Sequence, residues 1–229
     1  PERRITMKKN GTIAKIELRE SLDSHQLIEE FMIAATVAAA ETLEQRDQPC
    51  MYRVHESPDP ERVENLRGVL DSVGLSLSRG DVLRAGDFNR IVEKARETPH
   101  SALISEAVLR CQSQAVYSPD NLGHFGLGLR RYAHFTSPIR RYSDLLVHRA
   151  LITGLELGDG GLGVVDPTRF QGIAQSISDL ERRAAAAERD AEDRLTVAYL
   201  ADRTGAIFDA RVNGITRFGA FVVLTETRA

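Results

Sequence analysis

The order of apolar and polar positions near the start of the chain predicts a strand followed by a helix. Residues 11–20 alternate apolar and polar side chains, which is typical of a strand with one buried face. Beyond Asp23 or Ser24, either of which can cap a helix, apolar residues recur at helical spacing as far as Ala40. Residues 50–55 then form a second, shorter strand candidate.

The middle of the chain is dominated by helical patterns with recognisable ends. Asp59 before Pro60 is typical of a helix start, because proline at the first helical position loses no hydrogen bond. We expect this helix to continue to about Ser72 and to end at Gly74. Further helices are predicted near 87–97 and 101–112, from Ser137-Pro138 to about Gly154, and as one long helix over 168–203.

The last part of the chain has the pattern of a β-hairpin. Residues 206–224 indicate two strands around a turn at Asn213-Gly214, a dipeptide typical of hairpin turns. The sequence ends soon afterwards, too early to close a small β-barrel. Strands at both ends and helices between them predict the fold class α+β.

Composition and charge are those of an ordinary globular protein. The 229 residues are 42% hydrophobic and 28% charged, and no apolar run approaches the roughly 20 residues that cross a bilayer. The net charge of -3 argues against a uniformly basic surface but allows a local basic cleft. Cys50 and Cys111 stand far apart among apolar neighbours, so we expect two buried thiols and neither a zinc site nor a disulfide.

The segment from Ser137 to Asp144 carries the first candidate chemistry. Ser137 can cap a helix by accepting a hydrogen bond from the backbone N–H of Arg140, and Pro138 suits the first turn. Such a helix start attracts anions, because free N–H groups meet the positive end of the helix dipole there. Arg140 and Arg141 add two guanidinium groups that match phosphate oxygens. Asp144, four residues after Arg140, can hold that arginine or form an ordinary helical ion pair.

Flat side chains accompany these basic groups. Tyr132, His134, Phe135 and Tyr142 can stack on unpaired bases, which contributes about 1–3 kcal/mol per base. The same rings could instead belong to the core, and a paired arginine could bind a carboxylate inside the protein. Spacing alone does not decide between RNA binding and a place in the protein interior. The histidines of the neighbouring segment, His124, His134 and His148, match no standard spacing of zinc ligands.

A resemblance to a known family is carried mainly by residues 124–149, HFGLGLRRYAHFTSPIRRYSDLLVHR. This run resembles, almost continuously, the signature of the RNase II/RNase R (RNB) family of exoribonucleases, and its form leans toward the RNase R branch. Residues 22–43 resemble the family's helix of the type S-x-x-L-I-E-E-F-M-I-x-A-N, and residues 181–194 resemble the helix before its RNA-binding tail. Residues 205–224 look like the opening strands of an S1 domain.

The resemblance implies a Mg²⁺-dependent enzyme that degrades single-stranded RNA processively from its 3′ end to nucleoside 5′-monophosphates. Arg140 would be the catalytic group that holds the scissile phosphate, with Arg141 as the second choice. Glu29 and Glu30 would include the group that contacts the terminal ribose, and the resemblance does not choose between them. A carboxylate that accepts from ribose hydroxyls favours RNA over DNA.

The resemblance also implies a wider RNA-binding surface and two domains. Residues 1–203 would be the later, mostly helical portion of an RNB catalytic domain. Residues 204–229 would be the start of an S1 domain, a β-barrel of the OB type. The residues expected to contact RNA are Glu29, Glu30, Tyr132, His134, Ser137, Tyr142, Phe218 and Phe221.

Two features of the sequence depart from the family pattern. The family's cluster of metal-binding aspartates is missing here, so we expect no metal ligand in this chain, Mg²⁺ ligands upstream of Pro1, and no activity from this chain alone. Thr36 stands where the family usually has Asn. Because threonine lacks the amide donor pair, a hydrogen bond that Asn would make is lost or replaced.

Two alternative interpretations remain. One is a non-catalytic RNA-binding relative that keeps the RNA channel and has lost the metal site. The other is a structural helical domain in which Arg140 is paired internally. In the preferred interpretation the intact protein is a cytoplasmic monomer that binds single-stranded RNA and no membrane, since no secretory signal follows Pro1.

Overall fold

The structure, a computed structural model, describes residues 3–10, 13–18, 22–78, 83–201 and 203–225. Contacts divide the chain into two compact units, one formed by Pro1–Ile28 with Leu180–Ala229 and the other by Glu29–Asp179. Within the described ranges, no helix combines the length and the apolar character that a membrane span requires.

Helices predominate over short strands, as the α+β prediction requires. All the strands pair as antiparallel two-stranded sheets, β1 with β2, β3 with β4 and β5 with β6. In chain order the elements are β1 (Arg3–Met7), β2 (Ile13–Leu18), α1 (Asp23–Gln45), β3 (Tyr52–Val54), α2 (Pro60–Ser72), α3 (Ala85–Ala95), α4 (Ser101–Cys111), β4 (Val116–Ser118), α5 (Tyr142–Gly154), α6 (Pro167–Ala201), β5 (Ala210–Thr216) and β6 (Gly219–Leu224).

The predicted start and end of α2 are confirmed. Asp59 caps α2, with its Oδ1 accepting from the backbone N–H of Glu61 at 2.8 Å, and Pro60 is the first helical residue. The helix gives way at Gly74, whose φ of 75° is the left-handed conformation that glycine adopts most easily. The predicted strand over residues 11–20 corresponds to β2, although residues 11, 12, 19 and 20 lie outside the described part.

The helix that was expected to start at Ser137 begins instead at Tyr142. Residues 138–140 form a turn in which the N–H groups of Arg140 and Arg141 donate to the Ser137 carbonyl at 3.2 and 3.0 Å. Arg141 then adopts an extended conformation, φ -122° and ψ 121°, and is the capping residue of α5. An extended residue interrupts the helical hydrogen bonds, so the prediction that the Ser137 side chain caps a continuous helix is wrong.

The turn of the C-terminal hairpin is also displaced from its predicted position. Asn213 and Gly214 lie inside β5, where the register against β6 shifts between Val212 and Gly214. The actual turn is the two-residue connection Arg217-Phe218, followed by Gly219 with a φ of 142°. A glycine in a strand interior fits a bulge, and here the bulge rather than a turn explains Gly214.

Two apolar cores stabilise the unit Glu29–Asp179. The first joins the second half of α1, strands β3 and β4, helix α5 and the start of α6 around buried residues such as Leu43, Met51 and Val147. The second is formed by α2, α3 and α4 around Leu70 and Ile104. Cys50 belongs to the first core and Cys111 to the second, and both are free thiols, as predicted.

Candidate functional site

The segment 137–144 is organised by the carboxylate of Asp144, which is completely buried. Its Oδ1 accepts from the backbone N–H of Ser137 at 2.8 Å and from Nη2 of Arg141 at 2.9 Å. Its Oδ2 lies 2.9 Å from Nε of Arg141 and accepts from the Ser143 hydroxyl at 3.1 Å. One carboxylate therefore fixes the turn, the arginine that follows it and the start of α5.

Asp144 was expected to pair with Arg140, four residues before it, but it pairs with Arg141. Because α5 begins only at Tyr142, helical spacing does not apply between residues 140 and 144. The guanidinium of Arg141 donates one hydrogen bond to the buried carboxylate through Nη2, whereas its Nε lies 2.9 Å from Oδ2 as an ion-pair contact without hydrogen-bond geometry.

Arg140 is in the opposite situation. Its side chain is exposed, and it forms no hydrogen bond or ion pair with any residue in the described part of the chain. Its neighbour Ile139 is 99% exposed, so the tip of the turn projects into solvent. A guanidinium that is not neutralised within its own chain can bind an anion from outside.

A continuous row of rings runs through the same unit. We call it the ring row: His55, His124, Tyr132, His134 and Tyr117, in that order. Neighbouring ring centroids lie 5.0, 5.2, 5.7 and 5.6 Å apart, which is the range in which edge-to-face and tilted contacts are favourable. The row brings two of the four predicted ring residues, Tyr132 and His134, into one cluster.

The charge of the ring row is set by burial and by nearby arginines. Burial, together with the charges of Arg141 and Arg53, lowers the pKa of His134 to about 3. Burial also lowers the pKa of His124 to about 4, with His55 and Arg53 adding to the effect. Both imidazoles are therefore uncharged near neutral pH, and the positive charge of this region belongs to its arginines.

His55 has a structural role at the end of the ring row. Its Nδ1 accepts from the backbone N–H of Gly126 at 2.8 Å, so the ring proton is on Nε2, which lies 2.7 Å from the carbonyl of Ser113. A side chain on Gly126 would lie 2.7 Å from this imidazole, which explains why glycine occupies that position.

Tyr132 connects the ring row to charged groups on three other segments. Burial raises the pKa of the Tyr132 hydroxyl, Arg141 and Arg53 lower it, and Asp144 and Glu29 raise it. Glu29, which is exposed on α1, is therefore close enough to act electrostatically on this phenol. Glu30, its neighbour on α1, is not among the groups that affect Tyr132.

The other predicted site residues lie outside the ring row and differ in their contacts. Ser137 contributes its backbone rather than its hydroxyl, and Tyr142 is 49% exposed at the first position of α5. Phe135 is stacked on His148 at 4.3 Å, and Nε2 of His148 lies 2.8 Å from the Phe135 carbonyl, so this pair stabilises the fold. Phe218 and Phe221, 83% and 62% exposed, belong to the unit that contains β5 and β6.

Sequence reasoning missed Arg53 and Tyr117. They face each other across β3 and β4, and the guanidinium carbon of Arg53 lies 4.7 Å from the centroid of the Tyr117 ring. The Tyr117 hydroxyl lies 2.9 Å from Nδ1 of His134, which extends the ring row. Both residues lie on short three-residue strands, where a local pattern gives no information about their partners.

Thr36 and the possible metal ligands add two further observations. The Thr36 hydroxyl donates to the Met32 carbonyl at 2.5 Å and is buried, so it is used within α1. Across the described residues, no group of three or more His, Cys, Asp or Glu side chains is arranged to hold a metal ion.

Comparisons with known proteins agree with this geometry. The family model described as RNB domain matches residues 1–156. Ribonuclease R of Escherichia coli (strain K12) is 37% identical over 222 residues, and ribonuclease R of Vibrio cholerae serotype O1 is 42% identical over 214 residues. These matches include 93% and 89% of this chain but only 27% and 26% of the relatives, so the chain spans about a quarter of their length.

A solved structure shows the same fold. Mycoplasma genitalium RNase R, in complex with ribose methylated single-stranded RNA, superposes with a TM-score of 0.90 at 28% sequence identity. The match covers 100% of this chain and 36% of that protein. The α+β prediction is therefore confirmed both by the element content and by a structural neighbour.

Proposed function

Because this chain belongs to the RNB domain family, we propose that the protein containing it is an exoribonuclease that hydrolyses single-stranded RNA from the 3′ end to nucleoside 5′-monophosphates. One observation carries the proposal: Arg140 is exposed and without a partner among the described residues, on a turn held by the buried carboxylate of Asp144. This arrangement fixes the backbone of the turn that carries Arg140 and leaves the guanidinium un-neutralised.

Arg140 is the residue that contacts the scissile phosphate in this proposal. The negative charge on the phosphate oxygens increases as the bond to the leaving group breaks, and a fixed guanidinium stabilises that charge. Arg141, the second choice from the sequence, positions the turn through Asp144, because its own guanidinium is already paired. The two neighbouring arginines therefore have different roles.

Glu29 and the ring row supply the contacts to the rest of the nucleotide. Glu29 is our choice for the ribose, because it is the glutamate of α1 among the charges that act on Tyr132. A carboxylate that accepts from a 2′-hydroxyl distinguishes RNA from DNA. Tyr132 and the uncharged His134 are the bases' stacking partners, a role that requires flat rings and little sequence preference.

Mg²⁺ completes the proposal but is held by other residues. When bound, it would activate water as the nucleophile and stabilise the phosphate charge. The described residues include no group that fits a metal ion, so we propose that the ligands lie outside the described part of this chain, upstream of Pro1. The roles given to Arg140, Glu29 and the ring row do not depend on which residues those are.

The hairpin β5–β6 is proposed as a second RNA contact, at the start of an S1 domain covering residues 204–229. Phe218 and Phe221 are exposed, and the guanidinium of Arg217 lies 4.6 Å from the Phe218 ring centroid. Exposed rings next to a cation are typical of surfaces that bind single strands. Residues 1–203 would then belong to the catalytic domain, in a cytoplasmic monomer.

The test uses the natural protein at its full length and a 5′-labelled single-stranded RNA. We expect a ladder that shortens from the 3′ end with Mg²⁺ and nucleoside 5′-monophosphates as products, and no cleavage in EDTA. Arg140→Ala should reduce turnover by about a hundredfold or more, the loss seen when one charge-stabilising donor is removed. Arg96→Ala, which removes an exposed arginine outside the site, should leave turnover unchanged.

Other outcomes separate the alternatives. RNA binding without hydrolysis in Mg²⁺ would contradict the enzymatic proposal and favour a non-catalytic RNA-binding relative. Unchanged turnover and unchanged RNA affinity in Arg140→Ala would favour a structural domain in which Arg140 has no contact with RNA.

A further inference from the structure

A cavity lies beside the ring row, where His55 and His124 contribute to its lining. It is lined by residues 121–125 and 128–130, by Leu83–Ala85 at the start of α3, and by His55 and Ser57, and it measures about 680 Å³. Small-molecule sites usually measure about 300–1,000 Å³, so the cavity has the size of a ligand site. We call it the loop pocket. All its lining residues belong to the unit Glu29–Asp179.

The charge of the loop pocket is positive. Arg84 and Arg130 both line it and both are exposed, and neither guanidinium has an ion pair with a residue in the described part of the chain. No Asp or Glu is among the described lining residues. Two unpaired arginines that face one cavity without a carboxylate favour an anion, and the planar guanidinium matches phosphate oxygens best.

The nearest carboxylate at the start of α3 is already engaged. Asp87 accepts from the backbone N–H of Arg84 at 2.7 Å and pairs with Arg90. The N–H of Arg84 is the main cause that lowers the pKa of Asp87, and the charges of Arg90 and Arg84 add to the effect. The guanidinium of Arg84 thus acts on Asp87 electrostatically, but it forms no ion pair with a described residue and can still bind a ligand.

Flat and apolar groups complete the lining. His124 and Phe125 contribute rings to the wall, and His124 is uncharged near neutral pH because burial lowers its pKa to about 4. Leu122 and Leu129 add apolar surface. A wall with rings and aliphatic groups next to two arginines fits a ligand that has both a flat base and a phosphate.

Backbone hydrogen bonds hold the wall formed by residues 121–130 in its conformation without a ligand. His124 and Leu129 exchange backbone hydrogen bonds at 2.8 and 3.2 Å, and Phe125 donates to the His55 carbonyl at 2.7 Å. Gly123 has a φ of 73°, and a side chain there would lie 3.2 Å from the Leu129 carbonyl oxygen. A preformed wall needs little ordering when a ligand binds, which favours affinity.

We propose that the loop pocket binds a free nucleoside monophosphate, with the phosphate held by Arg84 and Arg130 and the base against His124 and Phe125. The inference rests on the proposed function, because hydrolysis beside Arg140 would release this class of molecule. His124 belongs both to the ring row and to the pocket wall, so the pocket is next to the place where the product would form.

The test measures binding of adenosine 5′-monophosphate to the natural full-length protein in EDTA, without RNA, by calorimetry. In Arg84→Gln/Arg130→Gln the affinity should fall by about tenfold or more, as expected when charge-assisted hydrogen bonds to a phosphate are lost. The matched control Arg96→Gln/Arg110→Gln removes the same charge from α3 and α4 outside the pocket, and screening should limit its effect to less than about twofold.

Two further probes identify what is bound. Adenosine alone should bind far more weakly than adenosine 5′-monophosphate, and its affinity should be equal in wild type and the pocket variant. The affinity of a single-stranded oligoadenylate should change much less than that of the mononucleotide; a larger loss for the oligonucleotide would overturn the proposal in favour of an RNA-strand site. Thermal unfolding checks that both double variants are folded.

The outcomes also separate this inference from the proposed function. Absence of binding in the wild type, or equal affinity in the wild type and the pocket variant, would overturn the pocket. Loss of binding in Arg140→Gln with affinity retained in the pocket variant would do the same. None of these results changes the ribonuclease activity of the wild type, on which the proposed function rests. Arginine-dependent binding in a protein without ribonuclease activity would retain the pocket and contradict the proposed function.

Discussion

The tripeptide Arg-Arg-Tyr occurs twice in this chain, at residues 130–132 and 140–142, and comparing the copies shows how identical residues acquire different roles. In both copies the first arginine is exposed and has no ion pair within the described part of the chain. In both copies the second arginine is paired with carboxylates. The division between a free and a paired arginine is therefore common to the two regions.

The regions differ in the burial of the carboxylates. Asp144, the partner of Arg141, is completely buried. Glu44 and Glu41, the partners of Arg131 at 2.7 and 3.3 Å, have side chains that are 28% and 44% exposed. Water screens a partly exposed pair, whereas a buried carboxylate that loses its partners is left without compensation. The second region is therefore fixed more firmly.

The two tyrosines also differ in burial, but here the more buried residue belongs to the first copy. Tyr132 lies inside the ring row with His124 on one side and His134 on the other. Tyr142 is 49% exposed at the start of α5. The tyrosine of the first copy thus contacts two rings of the protein, whereas that of the second copy is half exposed to solvent.

The largest expected effect is that of Asp144→Ala. Removing this carboxylate leaves the Arg141 guanidinium and the Ser137 N–H without their partner, which should reduce the free energy of unfolding by about 3–5 kcal/mol. Chemical denaturation of the natural full-length protein measures it. A loss below about 1 kcal/mol would show that the buried pair does not hold the turn.

Replacing each tyrosine with alanine should give the next largest difference in stability. Tyr132→Ala removes two ring contacts from a half-buried position and should destabilise by about 2 kcal/mol. Tyr142→Ala changes an exposed ring and should alter stability by less than about 0.5 kcal/mol. Thermal unfolding compares the two variants, and equal losses would contradict the difference between the copies.

Glu44→Ala should have a smaller effect than Asp144→Ala. Glu44 accepts from the Tyr52 hydroxyl at 3.0 Å and from the Asn121 amide at 2.7 Å, besides its pair with Arg131. Since the carboxylate is partly exposed, we expect a loss of about 1–2 kcal/mol. Denaturation in low and high salt provides the control, because only this screened pair should weaken with added salt.

Stability should also depend on pH. Burial holds the pKa of His124 at about 4 and that of His134 at about 3, while in the unfolded chain both have values near 6.5. The unfolded chain therefore takes up protons first, and this contribution to stability is complete above about pH 6.5 and is lost as the pH falls toward 4.

Variants of the two histidines measure that contribution. The melting temperature of the wild type should fall when the pH is lowered from about 7 to 5. In His124→Gln/His134→Gln this fall should be smaller by a few degrees. Parallel curves for the two proteins would mean that the histidines are protonated alike in the folded and unfolded states.

Elements that depend on adjacent residues were predictable from the sequence. The start of α2 at Asp59-Pro60 and its end at Gly74 follow from a side-chain cap and a left-handed glycine, which are local effects. The hairpin turn was not predictable, because pairing with β6 places Asn213-Gly214 inside a strand and overrides the usual preference of that dipeptide.

The candidate site was predictable only in part, because contacts between residues far apart in the sequence also determine it. The family resemblance singled out residues 124–149, and the structure does bring Tyr132, His134 and Arg141 together. The choice between Arg140 and Arg141 depends on where α5 begins, which the buried Asp144 determines. Arg53 and Tyr117 enter the cluster from strands far away in the sequence, and nothing near them predicts it.

The most direct test compares Arg140→Gln with Arg141→Gln in the natural full-length protein, measuring both RNA turnover and the free energy of unfolding. Arg140→Gln should reduce turnover by about a hundredfold or more with unfolding changed by less than about 0.5 kcal/mol. Arg141→Gln should reduce the free energy of unfolding by about 3 kcal/mol or more, because Asp144 loses its partner. The reverse pattern, with Arg140 needed for stability and Arg141 dispensable for it, would contradict the account.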